Sequence, residues 1–135
     1  MQLLSGKAIM EQIVAGRLCF YRRPQPQIQL YAHRDRRQEL NRFYRAQKSA
    51  ILELNTLYHR ALHQVGEGVA SIFMIHGMLL EDRDYMETVR SLIQGQGTTA
   101  EYAVQMAEIS FAAAFSSMDS PYMQARAADI RDISQ

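Results

Sequence analysis

From position 40 onward, apolar side chains recur at alternating spacings of three and four: Leu40, Phe43, Ala50, Leu54, Leu57 and Ala61, with Gln47 as the polar member of the row. A strand, with its period of two, would scatter such a set over both faces, whereas an α-helix gathers it on one. Tyr44, Ile51 and Tyr58 add a neighbouring stripe at intervals of seven, so the apolar face is wide. The pattern predicts one long helix from Asp35 to Gly66, where a glycine can take the left-handed conformation that ends helices.

The rest of the chain repeats this grammar with clear punctuation. Val69, Ile72, Phe73, His76, Leu79 and Leu80 form a second helical stripe, and Glu81-Asp82 supplies a break plus a carboxylate able to cap a new first turn. A shorter helix over 83–94 follows and ends at Gly95-Gln96-Gly97. Thr98, with Glu101 three positions on, forms a capping box ahead of a helix whose inner face is Ala100, Ala103, Val104, Ala107, Phe111, Ala114, Phe115 and Met118. Ser120-Pro121 opens a last helix carrying Met123, Ala127 and Ile130 inward. Upstream, residues 12–21 are β-branched and aromatic and stop before the prolines of Arg22-Arg23-Pro24-Gln25-Pro26, while residues 27–31 alternate Ile28 and Leu30 with glutamines. The expected fold is therefore mainly α, an antiparallel helical bundle of four main helices. The second helix is broken near Glu81-Asp82, and a short N-terminal β segment precedes the bundle. Residues 1–34 read as a strand segment whose two strands either pair marginally with each other or belong to a sheet formed by sequence outside this chain, and 35–135 as the helical unit.

Composition narrows the function classes. The chain has 135 residues, 47% apolar and 21% charged, close to the globular norm of about 45–50% and 25%, which excludes a disordered or low-complexity chain. No uncharged stretch approaches the roughly eighteen apolar residues of a membrane span, and the first fifteen residues lack the plan of a secretory signal, so no membrane and a cytoplasmic location are expected. Cys19, the one cysteine, rules out an internal disulfide; between Leu18 and Phe20 it reads as a buried thiol. The last helical pattern meets no glycine or proline before Gln135, as in a piece of a longer protein.

The net charge of +1 hides a split: residues 17–60 hold ten Arg or Lys against three carboxylates, residues 61–135 four Arg against ten. The first half offers phosphate a landing surface and the second a basic protein surface, unless both are simply solvated faces. Basic and aromatic residues interleave from Tyr31 through Arg34, Arg36, Arg37, Arg42, Phe43, Tyr44 and Arg45 as in nucleic-acid grooves, but the aromatics sit on the core stripe, so no nucleic-acid partner is expected. Gly95-Gln96-Gly97-Thr98-Thr99-Ala100 fits the dinucleotide fingerprint, yet follows a helix instead of a strand. His59 and His63 lie one turn apart with no carboxylate or cysteine to complete a metal set. Six of eight methionines fall between residues 74 and 123, where this soft side chain serves as core filler or as partner contact; spacing favours core filling, while Met74 and Met78 lie on a face partly offset from Ile72 and Leu79, so that at least one is expected to be exposed.

Two segments carry more than pattern. His76-Gly77-Met78-Leu79-Leu80-Glu81-Asp82 and Arg126-Ala127-Ala128-Asp129-Ile130-Arg131-Asp132, with Thr99-Ala100-Glu101 between them, resemble the N-terminal region of enzyme I of the phosphoenolpyruvate:sugar phosphotransferase system. The resemblance implies a helical subdomain that docks the small phosphocarrier protein HPr. It places the phosphorylated histidine, and the phosphoenolpyruvate and magnesium sites, in later segments, so His76 is not expected to accept phosphate and this piece is expected to hold no cofactor and no catalytic residue. The implied partner contacts are Glu67, Met78, Leu79, Asp84, Phe115, Met123 and Arg126, while Asp129 and Arg131 would brace helices. The family favours paired carboxylates at the margins of that surface; here Gly68 stands beside Glu67 and Arg83 beside Asp84. A helical adaptor without a phosphotransfer role, and a nucleic-acid binder using the stretch from Arg34 to Arg45, are the competing readings.

Overall fold

In the computed structural model, which describes residues 15–17, 19, 20, 28–30 and 35–135, five α-helices follow one another: α1 (Arg36–Val65), α2 (Glu67–Leu80), α3 (Arg83–Ser91), α4 (Ala100–Ser116) and α5 (Pro121–Ile133). They form the antiparallel bundle that the spacing predicts, α1 packing along α2 and α4 along α5. Asp35 caps α1 by accepting the Gln38 N–H at 2.8 Å. Gly66 alone separates α1 from α2; its φ of 87° and ψ of 171° lie in a region open essentially only to glycine, which is how one residue reverses the chain. Asp82 breaks α2 from α3, its Oδ1 accepting the Asp84 and Tyr85 N–H groups at 3.0 Å each.

The descent from α3 to α4 departs from the expected pattern in two places. The helix does not end at Gly95 but widens into a π-helical turn, Leu92–Gln96, which buries Ile93 completely and closes at Gly97, the left-handed residue at φ 68°. The residue that caps α4 is Thr99 and not Thr98: its hydroxyl accepts the Tyr102 N–H at 3.1 Å and donates to the Gln29 carbonyl at 2.5 Å. Glu101 does not fold back to complete a capping box, because Arg42 of α1 holds it. A carboxylate from another helix takes over part of the capping: Glu39, 1% exposed, accepts the Ala100 N–H at 2.9 Å and an Arg42 N–H at 2.6 Å. Burial of so charged a group is tolerated because its Oε2 meets two charge-assisted donors on the spot.

Two clusters make the core. The larger gathers Phe43 of α1, Tyr85 and Val89 of α3, Ile93, and Ala100, Ala103 and Ala107 of α4. Alanines on α4 let its backbone approach closely, and the Tyr85 ring meets Phe111 edge-on at 5.7 Å. The smaller gathers Ala112, Ala127 and Ile130, with Leu79, Phe111, Phe115 and Ile133 half-buried around it. The row on α1 behaves as expected: its six apolar members are buried or half-buried, and Gln47 donates to the Leu80 carbonyl at 2.7 Å. On α2, which packs chiefly against α1, the expected Val69 is exposed while Ala70, about 100° further round the helix, is fully buried. On α4, Ala114 is exposed and Ala112 buried, since α5 packs on the side of α4 that carries Ala112.

The expected N-terminal β segment falls largely outside the described residues. Its described members, 15–17, 19, 20 and 28–30, carry no strand; the Leu30 carbonyl accepts the Thr99 N–H at 3.2 Å. Cys19 is exposed and not buried, as is Phe20, because no described helix packs over them.

Candidate docking surface

The outer face of α2 is set by the same period that builds its inner one. Positions 67, 71, 74 and 78 follow the helical repeat opposite the α1 and α5 contacts, so Glu67, Ser71, Met74 and Met78 share one strip. Met74 is 52% and Met78 65% exposed, a poor arrangement for core filler and a good one for adaptable contact. One residue past Met78 the helix turns by about 100°. Leu79 accordingly points inward and joins Phe115 of α4 against Ala112, Ala127 and Ile130. Met123 of α5 is half-buried on the same face of its helix as Arg126, three residues on.

Arg126 is the hub of a chain of polar contacts that ties α5 to α2. Its Nη1 donates to Asp129 Oδ2 at 2.7 Å, its Nη2 donates to the Tyr122 hydroxyl, and its guanidinium lies 4.6 Å from the centre of the Tyr122 ring. Asp129 reaches with its other oxygen to His76 Nε2 of α2 at 3.4 Å. The Tyr122 contact first, and Asp129 second, hold the guanidinium's affinity for its proton above the ordinary arginine value, against the burial that lowers it. Tyr122 itself is 66% exposed, so the network presents an aromatic face to solvent on one side and locks helices on the other. With Nε2 turned to Asp129 and only 12% of its side chain exposed, His76 serves as a brace between helices.

The structure thus packs Leu79 and Phe115 against the same small cluster of α4 and α5 and ties Arg126 to α2 through Asp129 and His76, with Met78 on the outer strip. It does not bring the two acidic margins together. Glu67 and Asp84 are both exposed, but Glu67 opens α2, whose length is about 20 Å, and Asp84 lies past its far end in the first turn of α3. Arg131 is exposed and makes no ion pair among the described residues, so Asp129 braces the helices without it. Tyr122 and His76 belong to the arrangement and were not singled out from the sequence as contacts; the i, i+4 spacing of Tyr122 and Arg126 on one helix was the available signal.

The basic half resolves differently. Arg42 is neutralised by Glu39 and Glu101, and the Glu101 hydrogen bond is the largest of the influences that hold its guanidinium charged. Phe43 is core and Arg45 bonds the Asn41 carbonyl, so the alternation of cations and rings dissolves into inward and outward faces. His59 and His63 are both exposed, and among the described residues no three or more His, Cys, Asp or Glu side chains gather where they could hold a metal ion. No helix among the described residues is long and apolar enough to cross a membrane.

The family model for the N-terminal part of PEP-utilising enzymes matches residues 5–126. The chain belongs to this family. It is 36% identical over 97 residues to phosphoenolpyruvate-protein phosphotransferase of Geobacillus stearothermophilus, which covers 72% of this chain and 17% of that one. The same protein of Streptococcus equinus aligns over 135 residues at 29% identity, 99% of this chain and 23% of its own. Among solved structures, the chain superimposes on a solution structure of Enzyme I (nEIt) with a TM-score of 0.75 at 26% identity, covering 82% of this chain and 46% of the other. It also superimposes on an N-terminal domain of Enzyme 1 - Nitrogen, with a TM-score of 0.73 at 25% identity, 80% of this chain and 45% of that one. The chain spans 17–23% of the length of these two curated relatives.

Proposed function

We propose that the helical unit, residues 35–135, docks the small phosphocarrier protein HPr for an enzyme I-type phosphotransferase of the sugar phosphotransferase system, working in the cytoplasm. Residues 1–34 would belong to a neighbouring phosphohistidine domain. The observation that carries this reading is the pairing of an exposed Met74–Met78 strip with the Leu79–Phe115 junction and the Arg126 network beside it. Such a surface gives a partner a desolvated, adaptable centre with a polar rim, the anatomy of a transient protein interface. Membership of the PEP-utilising N-terminal family supports the partner's identity. Met78, Leu79, Phe115, Met123 and Arg126 would form the centre; Glu67 and Asp84 would stand at its two ends.

The unit performs no covalent step in this reading. It positions the carrier, while the phosphoryl group moves between that carrier and a histidine on the following domain, and the phosphoenolpyruvate and magnesium sites lie further on. The acidic balance of residues 61–135 would draw in a basic carrier and raise the rate of encounter. Titrating the isotope-labelled chain with unphosphorylated HPr is expected to shift amide resonances around Met78 and Arg126, and the shifts should fade with salt. Silence of those resonances at millimolar concentrations of both proteins would sink the reading. A helical adaptor for an unrelated partner would give the same silence with HPr.

A further inference from the structure

Arg83 breaks a local rule. It is the first residue of α3, where the helix dipole presents its positive end and favours an acid over a base. It is exposed, and among the described residues it makes no ion pair, although Glu81, Asp82 and Asp84 flank it in the chain. Asp82 spends its side chain on the α3 backbone, accepting the N–H groups of Asp84 and Tyr85. A misplaced cation with no internal partner adds little to the fold, and such departures from local preference concentrate at functional positions.

The position of Arg83 gives the departure a use. The turn that leads to it closes back on the docking strip: the Glu81 N–H bonds the Met78 carbonyl and the Asp82 N–H the Leu79 carbonyl, at 3.2 Å each. Arg83 therefore leaves the α2–α3 corner four residues after Leu79, one residue past the turn that bonds back to Met78 and Leu79, and beside the acidic Asp84. We propose that Arg83 is a specificity contact that meets a carboxylate on the docked carrier. This rests on the docking reading above. The fitting carrier then has a mixed rim: cationic groups toward Glu67 and Asp84, and an acidic side chain toward the α2–α3 corner. A carrier whose rim is basic throughout would meet like charge at this corner and be disfavoured.

The test is a sign. Binding of the unphosphorylated HPr-like carrier of the same organism is measured by calorimetry for the wild-type chain, Met78→Ala, Arg83→Gln and Arg83→Glu, at low and high salt. If a carboxylate faces Arg83, Arg83→Glu weakens binding about five- to thirty-fold at low salt, Arg83→Gln weakens it less, and high salt erases most of the difference. A carrier basic at that corner would instead bind Arg83→Glu more tightly. Tighter or unchanged binding by Arg83→Glu, with Met78→Ala still weakened, overturns the role of Arg83 and leaves the docking reading standing. Absence of binding by the wild-type chain ends both. Thermal melting separates these outcomes from misfolding, because an acid at the first position of α3 should leave the melting temperature unchanged or slightly higher.

Discussion

The two core clusters follow the same helical rules and end in different places. Around Tyr85, Val89 and Ile93, three helices and a π-helical turn enclose side chains completely, and a buried carboxylate, Glu39, is hydrogen-bonded into the joint. Around Ala112, Ala127 and Ile130 the buried set is small, and its apolar neighbours Leu79 and Phe115 remain half-exposed at the rim, with Met78 on the open strip beyond. The first cluster holds the bundle together; the second is thin enough to leave apolar surface for a partner. A domain that must present a sticky face without unfolding needs both, since stability concentrated in one place permits exposure in another.

The contrast is strongest under truncation. Ile93→Ala should cost about 3–4 kcal/mol, because a fully enclosed site cannot collapse around the missing atoms; urea unfolding would show it, and a cost under about 1 kcal/mol would mean that the π-helical turn is not the closed end of the core. Glu39→Ala should follow at about 3 kcal/mol, leaving the Ala100 N–H unsatisfied in a buried site. Glu39→Gln, which keeps an acceptor, should recover part of that loss. Ile130→Ala in the thin cluster should cost less, about 2 kcal/mol, since its half-exposed neighbours can close in.

A pH effect should mark the larger cluster. Burial, foremost, lifts the Tyr85 hydroxyl above the ordinary tyrosine range, opposed by its hydrogen bond to Ser134 and assisted by the Glu108 charge. Because the folded value is the higher one, the stabilisation is complete below about pH 10, where tyrosine is neutral in both states, and is lost as pH rises through the folded value. Tyr85→Phe should remove that share of the alkaline slope, which unfolding titrations would read; an unchanged slope would place the phenol in contact with water. Smallest of all, Met78→Ala should alter stability by less than about 0.5 kcal/mol, since a mostly exposed side chain has little burial to lose. The same change is expected to weaken carrier binding tenfold or more, which calorimetry would measure.

Much of this was legible in the residues. The 3-4 spacing of Leu40, Phe43, Ala50, Leu54, Leu57 and Ala61 determined α1, Gly66 its end, Asp82 the break, and Ser120-Pro121 the start of α5, because each acts through its own backbone or its own turn. The offset of Met74 and Met78 from Ile72 and Leu79 pointed to exposure of at least one of them; that both are exposed, against the core filling that spacing favours, was not legible. What escaped lies between helices. The shift of the cap from Thr98 to Thr99, and the diversion of Glu101 to Arg42, depend on where α1 stands when α4 begins, and position 39 supplies a cap that no local pattern could contain. Burial of Ala70 in place of Val69, and the exposure of Cys19, turned on which neighbour arrived and which did not. The sequence alone determined the helices, since dihedral preference and periodicity act over a few residues. Tertiary structure decided which carboxylate caps, which alanine is core and where the Arg126 network ties α5 to α2, since those choices are made by groups 30 to 60 positions apart competing for the same donors and the same space.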